Sequence, residues 1–176
     1  DMGLTPDQLP GYVPVGSADA EAYAKAWGRT LDATPGLSAP EILTAAAEGR
    51  IKALWIVGED IAQTDPDTSA VLQALSRLEL LVVQELFMTP TAEFADVVLP
   101  AASFFEKSGT FTNGERRIQR VNQVVEPVGQ SRSDGKIIVD MMNRMGYKQA
   151  SYDPKTMLEE ISRIVPFFKG VKWDEL

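Results

Sequence analysis

Two short apolar runs with a helical stretch between them constrain this chain more than any other feature. Residues 51–57 read IKALWIV, with a single Lys, and are bounded by Gly49 and Gly58. Residues 79–84 read ELLVVQ, and between the two runs Val71, Leu72, Leu75 and Leu78 recur at helical spacing over 67–78. A continuous apolar run of that length between glycines suits a strand buried on both faces of a parallel sheet. Parallel neighbours need a crossover, and the helical stretch supplies one, so the unit is β-α-β with a right-handed connection. A third strand over 96–99 follows a short helical stretch at 91–95 and ends at Pro100. The expected fold class is α/β, a layered α-β-α arrangement around a mainly parallel sheet, with a short β arm and C-terminal helices.

The flanks carry their own signals. Residues 1–17 hold three prolines and three glycines with little periodicity, which predicts an extended lead-in and not a packed element. A short helix is expected over 18–27. Ser38 then precedes a helix over 39–48, and with Glu41 it has capping-box spacing, each side chain satisfying an orphan N–H; Gly49 stops that helix. Residues 106–113 turn Gly-rich and polar, and 116–121 alternate charged and apolar residues as a hairpin arm would. A long loop over 124–134 leads to amphipathic helices at 136–145 and 155–165, stopped at Gly146 and Pro166. The expected organisation is one fragment, with a lead-in at 1–17, an α/β core at 18–103, a β arm at 104–128 and a helical end at 129–176.

Composition narrows the chemistry. The 176 residues are 44% hydrophobic, enough for one core that buries about two-thirds of the unfolded surface. Seventeen basic against 25 acidic residues give a net charge of -8, which argues against phosphate backbones and anionic membranes as partners. No long apolar run or basic-then-apolar leader is visible, so neither a membrane span nor a signal peptide is expected. With no Cys and no His, the chain offers no thiolate or imidazole metal site, no Fe–S ligands and no Ser-His-Asp triad, so no catalytic and no metal-binding residue is assigned. Absence of Cys fits a reducing compartment, and a cytoplasmic location is the expectation. Since Asp1-Met2-Gly3 opens the chain in place of an initiating Met, it is read as an internal piece of a longer polypeptide.

In an open parallel sheet, ligands bind beyond the carboxyl ends of the strands, where loops and helix N-termini present free N–H groups. Three segments qualify. The first, 58–67, reads GEDIAQTDPD: Gly58 permits a turn other residues resist, Glu59 and Asp60 can accept from ribose hydroxyls or the donor edge of guanine, and Thr64 adds a hydroxyl. Its plain alternative has Asp65 or Asp67 capping the next helix and the other acids merely solvated. The second, 84–92, starts with Gln84 at a strand end and carries Thr89 or Thr91 as a cap; Phe87 and Met88 are expected as core filler ahead of a stacking platform. The third, 106–117, has two glycines and paired arginines that could cradle an anion or simply turn a surface hairpin.

Several motifs carry a resemblance. DMG at 1–3, GED at 58–60 with QTDPD at 63–67, the block MTPTAEFADVVLPAASFFEKSGTFTNGERRIQRV at 88–121, and RMGY at 144–147 run in order over almost the whole chain. Together they resemble the prokaryotic molybdopterin oxidoreductase family, nearest the alpha subunits of formate dehydrogenases. The resemblance implies a molybdenum or tungsten ion held between two molybdopterin guanine dinucleotides, an Fe4S4 cluster, and two-electron oxidation of formate to carbon dioxide. In that family the metal-ligating Cys or selenocysteine, its neighbouring His, a substrate-side Arg and the cluster cysteines precede the DMG element, and a barrel follows. This chain then corresponds to the later half of one dinucleotide-binding domain and is inactive by itself. Its 106–121 arm would pack beside the cluster domain.

Carried over position by position, the resemblance assigns cofactor contacts to Gly58, Glu59, Asp60 and Thr64 in the first loop, Gln84 in the second and Asp134 near a later helix start. Asp60 is the preferred guanine or ribose acceptor, taking two N–H donors at once, and Thr64 supports the same nucleotide. Ile61 stands where the family often has Pro, and Gly135 where an aromatic commonly follows the Asp. Implied partners are the rest of the parent catalytic subunit and its electron-transfer subunits, with self-association expected for the isolated piece through apolar surface, chiefly in the lead-in. Three alternatives stand beside this: the molybdopterin-like domain of the large Fe–S subunit of NADH-quinone oxidoreductase, a nitrate reductase relative, and a non-catalytic nucleotide-binding module.

Overall fold

A computed structural model describes residues 5–176, so the DMG element and the start of the lead-in lie outside the described residues. Two compact units interleave along the chain. One comprises residues up to Ser38, Ser108–Asn122 and Ser151–Leu176; the other comprises Ala39–Lys107 and Gln123–Ala150.

The second unit holds the parallel sheet. Its strands β3 (Ala53–Val57), β4 (Leu80–Glu85) and β5 (Val97–Pro100) lie side by side in that order, β4 in the middle. Both pairings are parallel, with Val57 opposite Gln84 and Gln84 opposite Leu99. Helix α2 (Ala39–Ala47) packs on α4 (Thr68–Arg77), the crossover between β3 and β4. Val71 and Leu75 of α4 meet Leu81 and Val83 of β4, together with Ile56, Ala62 and Ala92, in the apolar core. The β-α-β unit read from the sequence is therefore present, and the chain has an α/β fold. A four-residue helix, α3 (Ile61–Thr64), lies in the loop after β3, and α5 (Asp134–Arg144) closes the unit.

Burial on both faces, expected for the 51–57 run, is not reached there. Only Ile56 of β3 is buried and Val57 is exposed, because β3 forms an edge of the described sheet. The central position belongs to β4, where Leu81, Val83 and Gln84 are all buried.

In the first unit, β1 (Gln8–Leu9) pairs antiparallel with β2 (Val13–Pro14), followed by α1 (Ala20–Trp27). β6 (Gly109–Thr112) pairs antiparallel with β7 (Ile118–Val121), and α6 (Pro154–Ile164) packs against α1 and β6. The described lead-in is thus a small hairpin and not an unpacked extended segment. The buried Tyr23 donates its hydroxyl to the Pro10 carbonyl at 2.5 Å, and Trp27 Nε1 donates to Glu160 Oε1 at 3.1 Å. Tight packing gives the hairpin its turn residue: Gly11 has φ +84°, and a Cβ there would stand 2.8 Å from Val165 Cγ1. Gly11→Ala is expected to destabilise this unit by about 1–2 kcal/mol from backbone strain alone, with the clash added. Urea denaturation checks it, and an unchanged midpoint would remove the lead-in from the packed structure. Among the described residues no helix is long and apolar enough to cross a membrane.

Candidate cofactor-binding site

The carboxyl ends of β3 and β4 meet at one edge of the sheet. The Gly58 N–H donates to the Gln84 carbonyl at 2.9 Å, extending the pairing one step past Val57. Gly58 then takes φ +64°, where a side chain is strained, and no atom lies within 4 Å of where its Cβ would stand. The turn delivers Glu59 and Asp60 ahead of α3.

Asp60 does not simply face solvent. Its Oδ1 accepts from the Thr91 N–H at 3.0 Å and from the Thr91 hydroxyl at 2.6 Å, while Thr91 Oγ1 accepts from the Ala62 N–H at 2.9 Å. Thr91 is 0% exposed and Asp60 half-buried, and these bonds join the loop after β3 to the loop after β4. Thr91, at the N-cap position of the short 3-10 turn Ala92–Phe94, makes no side-chain cap bond; the other threonine of the loop, Thr89, accepts from Ala92 N–H through its Oγ1 at 3.3 Å. Thr64 donates to Glu59 Oε1 at 2.5 Å, with the Asp60 carbonyl 3.1 Å away. Asp67 caps α4 by accepting from Ala70 N–H at 3.0 Å, and Asp65 braces the turn through Asp67 N–H at 2.9 Å.

A second cluster forms beside it from residues far apart in sequence. Past Pro100 the chain pairs in parallel with the segment before α5, the Arg132 N–H donating to the Pro100 carbonyl at 3.0 Å and the Ala102 N–H to the Arg132 carbonyl at 2.9 Å. That pairing brings Asp134, the first residue of α5, to Gln84. Gln84 is 0% exposed; its Nε2 donates to Asp134 Oδ1 at 2.8 Å, and the Lys107 ammonium pairs with Asp134 Oδ2. Orientation of Asp134 therefore comes from two side chains and not from the residue after it, where Gly135 stands. Burial pushes the Asp134 carboxyl up, but hydrogen bonds from Lys107 and Gln84 and the Lys107 charge outweigh it and leave the group below its ordinary value. Gln84 Oε1 and Ser133 Oγ are buried without a hydrogen-bond partner among the described residues.

The lowered value has a consequence in acid. A carboxylate depressed on folding contributes stability that is present above its unfolded value, about 3.9, and lost as pH falls through the folded one. Stability should drop below about pH 4, and Asp134→Asn should flatten part of that drop in urea titrations. Equal acid sensitivity of the two proteins would remove Asp134 from the account. Glu106 adds to the same limb: it accepts from Ser103 N–H at 2.7 Å and Val128 N–H at 2.8 Å, and those bonds lower its carboxyl.

Other expectations in these loops change. Phe87 and Met88 are 75% and 66% exposed, not core filler, because they lie past the end of β4 where strand alternation no longer turns them inward. In the third segment, Asn113 Oδ1 accepts from the Glu115 and Arg117 N–H groups at 3.0 and 2.9 Å, forming the turn between β6 and β7, and Arg116 and Arg117 are exposed. Sequence reasoning overlooked Thr91 and Lys107 as the partners of Asp60 and Asp134. A hydroxyl residue after a strand end was the available signal for Thr91; for Lys107 there was only a lone positive charge in a Gly-rich stretch. Among the described residues no group of three or more His, Cys, Asp or Glu could hold a metal ion.

The class these features define is an open α/β fold with a parallel sheet, with acidic and hydroxyl side chains past its strand ends. Residues 9–144 match the family model for molybdopterin oxidoreductase, and the chain belongs to that family. It is 41% identical over 178 residues to the F420-dependent formate dehydrogenase 1 subunit alpha of Methanococcus maripaludis, covering 100% of this chain and 26% of that one. It is 40% identical over 177 residues to a Bacillus subtilis protein named "Probable oxidoreductase YjgC", again over 100% of this chain but 18% of the relative. The chain thus spans about a fifth to a quarter of the relatives it matches. Among solved structures, acetylene hydratase from Pelobacter acetylenicus superposes with a TM-score of 0.64 at 25% identity, over 90% of this chain and 23% of that one. The names of these relatives specify different reactions, so the shared fold does not by itself fix the substrate.

Proposed function

We propose that this chain is an internal segment of the dinucleotide-binding region of a molybdopterin-dependent formate dehydrogenase, and that it grips the guanosine part of a molybdopterin guanine dinucleotide. The observation that carries the reading is the juxtaposition of Glu59, Asp60 and Thr64 with Gln84 at the carboxyl ends of two paired parallel strands. The donor set fits such a group. Asp60 Oδ2 takes no hydrogen bond among the described residues and can accept an N–H or ribose O–H. Gly58 leaves open space for close approach, and backbone N–H groups at the start of the loop suit the pyrophosphate. Gln84 Oε1 keeps an unused acceptor, while Asp134, itself paired with Lys107, holds the Gln84 amide in its orientation.

When bound, the cofactor supplies the metal centre for two-electron oxidation of formate to carbon dioxide. This chain's residues bind and orient; none is assigned to the chemical step. The metal-ligating residue, the catalytic His and Arg and the Fe4S4 ligands belong to the remainder of the parent catalytic subunit, which passes electrons to its partner subunits, in the cytoplasm. Separated from them, the segment self-associates through exposed apolar side chains such as Phe87, Met88, Val124 and Val128.

The test is the content of the full-length protein purified from cells supplied with molybdate and tungstate. Acid hydrolysis should release GMP together with molybdenum or tungsten, and formate should reduce a dye acceptor. Iron and sulfide without GMP or either metal would favour the NADH-quinone oxidoreductase relative; neither would leave a nucleotide-binding module.

A further inference from the structure

Thr91 turns its N–H and its hydroxyl to one neighbouring loop, while its carbonyl accepts from Phe94 N–H at 3.2 Å. Its N–H and its hydroxyl both donate to Asp60 Oδ1, and its Oγ1 accepts from Ala62 N–H, two residues beyond Asp60. A carboxylate oxygen has about two lone-pair directions, so two donors from the same residue saturate Oδ1. The Asp60 side chain forms no cap with α3, and Oδ2 has no donor among the described residues. Thr91 is fully buried, so its donors have no water to turn to in place of Asp60.

We propose that Thr91 is a positioning residue that commits Asp60 Oδ1, so that Asp60 reads its nucleobase through Oδ2 alone. The inference rests on Asp60 being the nucleotide acceptor, and it offers one oxygen in place of the two-donor contact expected from the sequence. Guanine presents N1–H and the 2-amino group side by side, and a carboxylate meets both with two parallel, well-aligned bonds only when both oxygens are free; one oxygen aligns well with only one of them. Inosine keeps N1–H and lacks the amino group. A single-oxygen contact therefore separates the two bases poorly, whereas a two-oxygen contact separates them by about tenfold or more.

The experiment titrates GMP and IMP against the full chain by calorimetry. The wild-type protein should bind the two within about threefold of each other. Thr91→Val, which removes the hydroxyl and frees a lone pair of Oδ1, should raise the preference for GMP toward about tenfold, and Thr91→Ser should restore the wild-type ratio. A wild-type preference of about tenfold or more overturns the proposal without any variant, so a poorly folding Thr91→Val leaves it testable. A ratio unchanged by Thr91→Val, with only stability lowered, makes Thr91 structural and overturns it as well. Asp60→Ala separates the two levels: GMP affinity unchanged by that substitution defeats the nucleotide reading itself.

Discussion

Shortening Leu81 to Ala is expected to cost about 2–5 kcal/mol of unfolding free energy. Leu81 is 1% exposed in the central strand and packs with Val71, Leu75 and Val83, so truncation leaves a cavity in the core on which both strand ends depend. Domains of this size hold only about 5–15 kcal/mol in total, so the loss is a large share of the whole. Its neighbour Leu80 is 42% exposed, and Leu80→Ala should stay within about 0.5 kcal/mol. Urea denaturation of the pair checks this. Equal losses would mean that β4 does not present Leu81 inward.

Asp60→Ala carries the second large effect, and it falls on two observables. Removing the carboxylate strands the Thr91 N–H and hydroxyl in a buried setting, a cost of about 1–3 kcal/mol. It also removes the acceptor proposed for the nucleotide, which should weaken GMP binding by about tenfold or more. Asp60→Asn separates the two. Its amide oxygen can still accept from Thr91, while an N–H₂ replaces the oxygen offered to the ligand, so stability should largely persist and binding should not. Loss of binding in the alanine variant alone would show that Asp60 acts only as a clasp.

The β-α-β unit was legible because its signals are local: Val71 and Leu75 at helical spacing, apolar runs on either side, glycines as boundaries. Local signals also gave the helix starting at Ala39, the cap at Asp67 and the hairpin arm. They erred where burial depends on neighbours. The 51–57 run looks like an interior strand, yet its place at the sheet edge exposes Val57, and the lead-in acquires structure only through partners such as Tyr23 and Val165.

The site divides the same way. Gly58, Glu59, Asp60 and Thr64 are contiguous, so any motif that finds one finds all. The Gln84–Asp134 bond spans 50 positions and the Lys107–Asp134 pair 27, distances at which no periodicity speaks. They meet because the chain pairs Ala101 with Arg132 just before α5. The Asp60–Thr91 clasp, across 31 positions, was not legible as a pair either, although a hydroxyl past a strand end pointed to Thr91.

Amide chemical-shift mapping during a GMP titration of the isotopically labelled chain tests the central claim most directly. Perturbations should gather on residues 58–64, on Gln84 and Thr91 and at the start of α5. Shifts confined to the β6–β7 hairpin, or a spectrum that GMP leaves unchanged, would contradict a guanosine grip at the ends of β3 and β4.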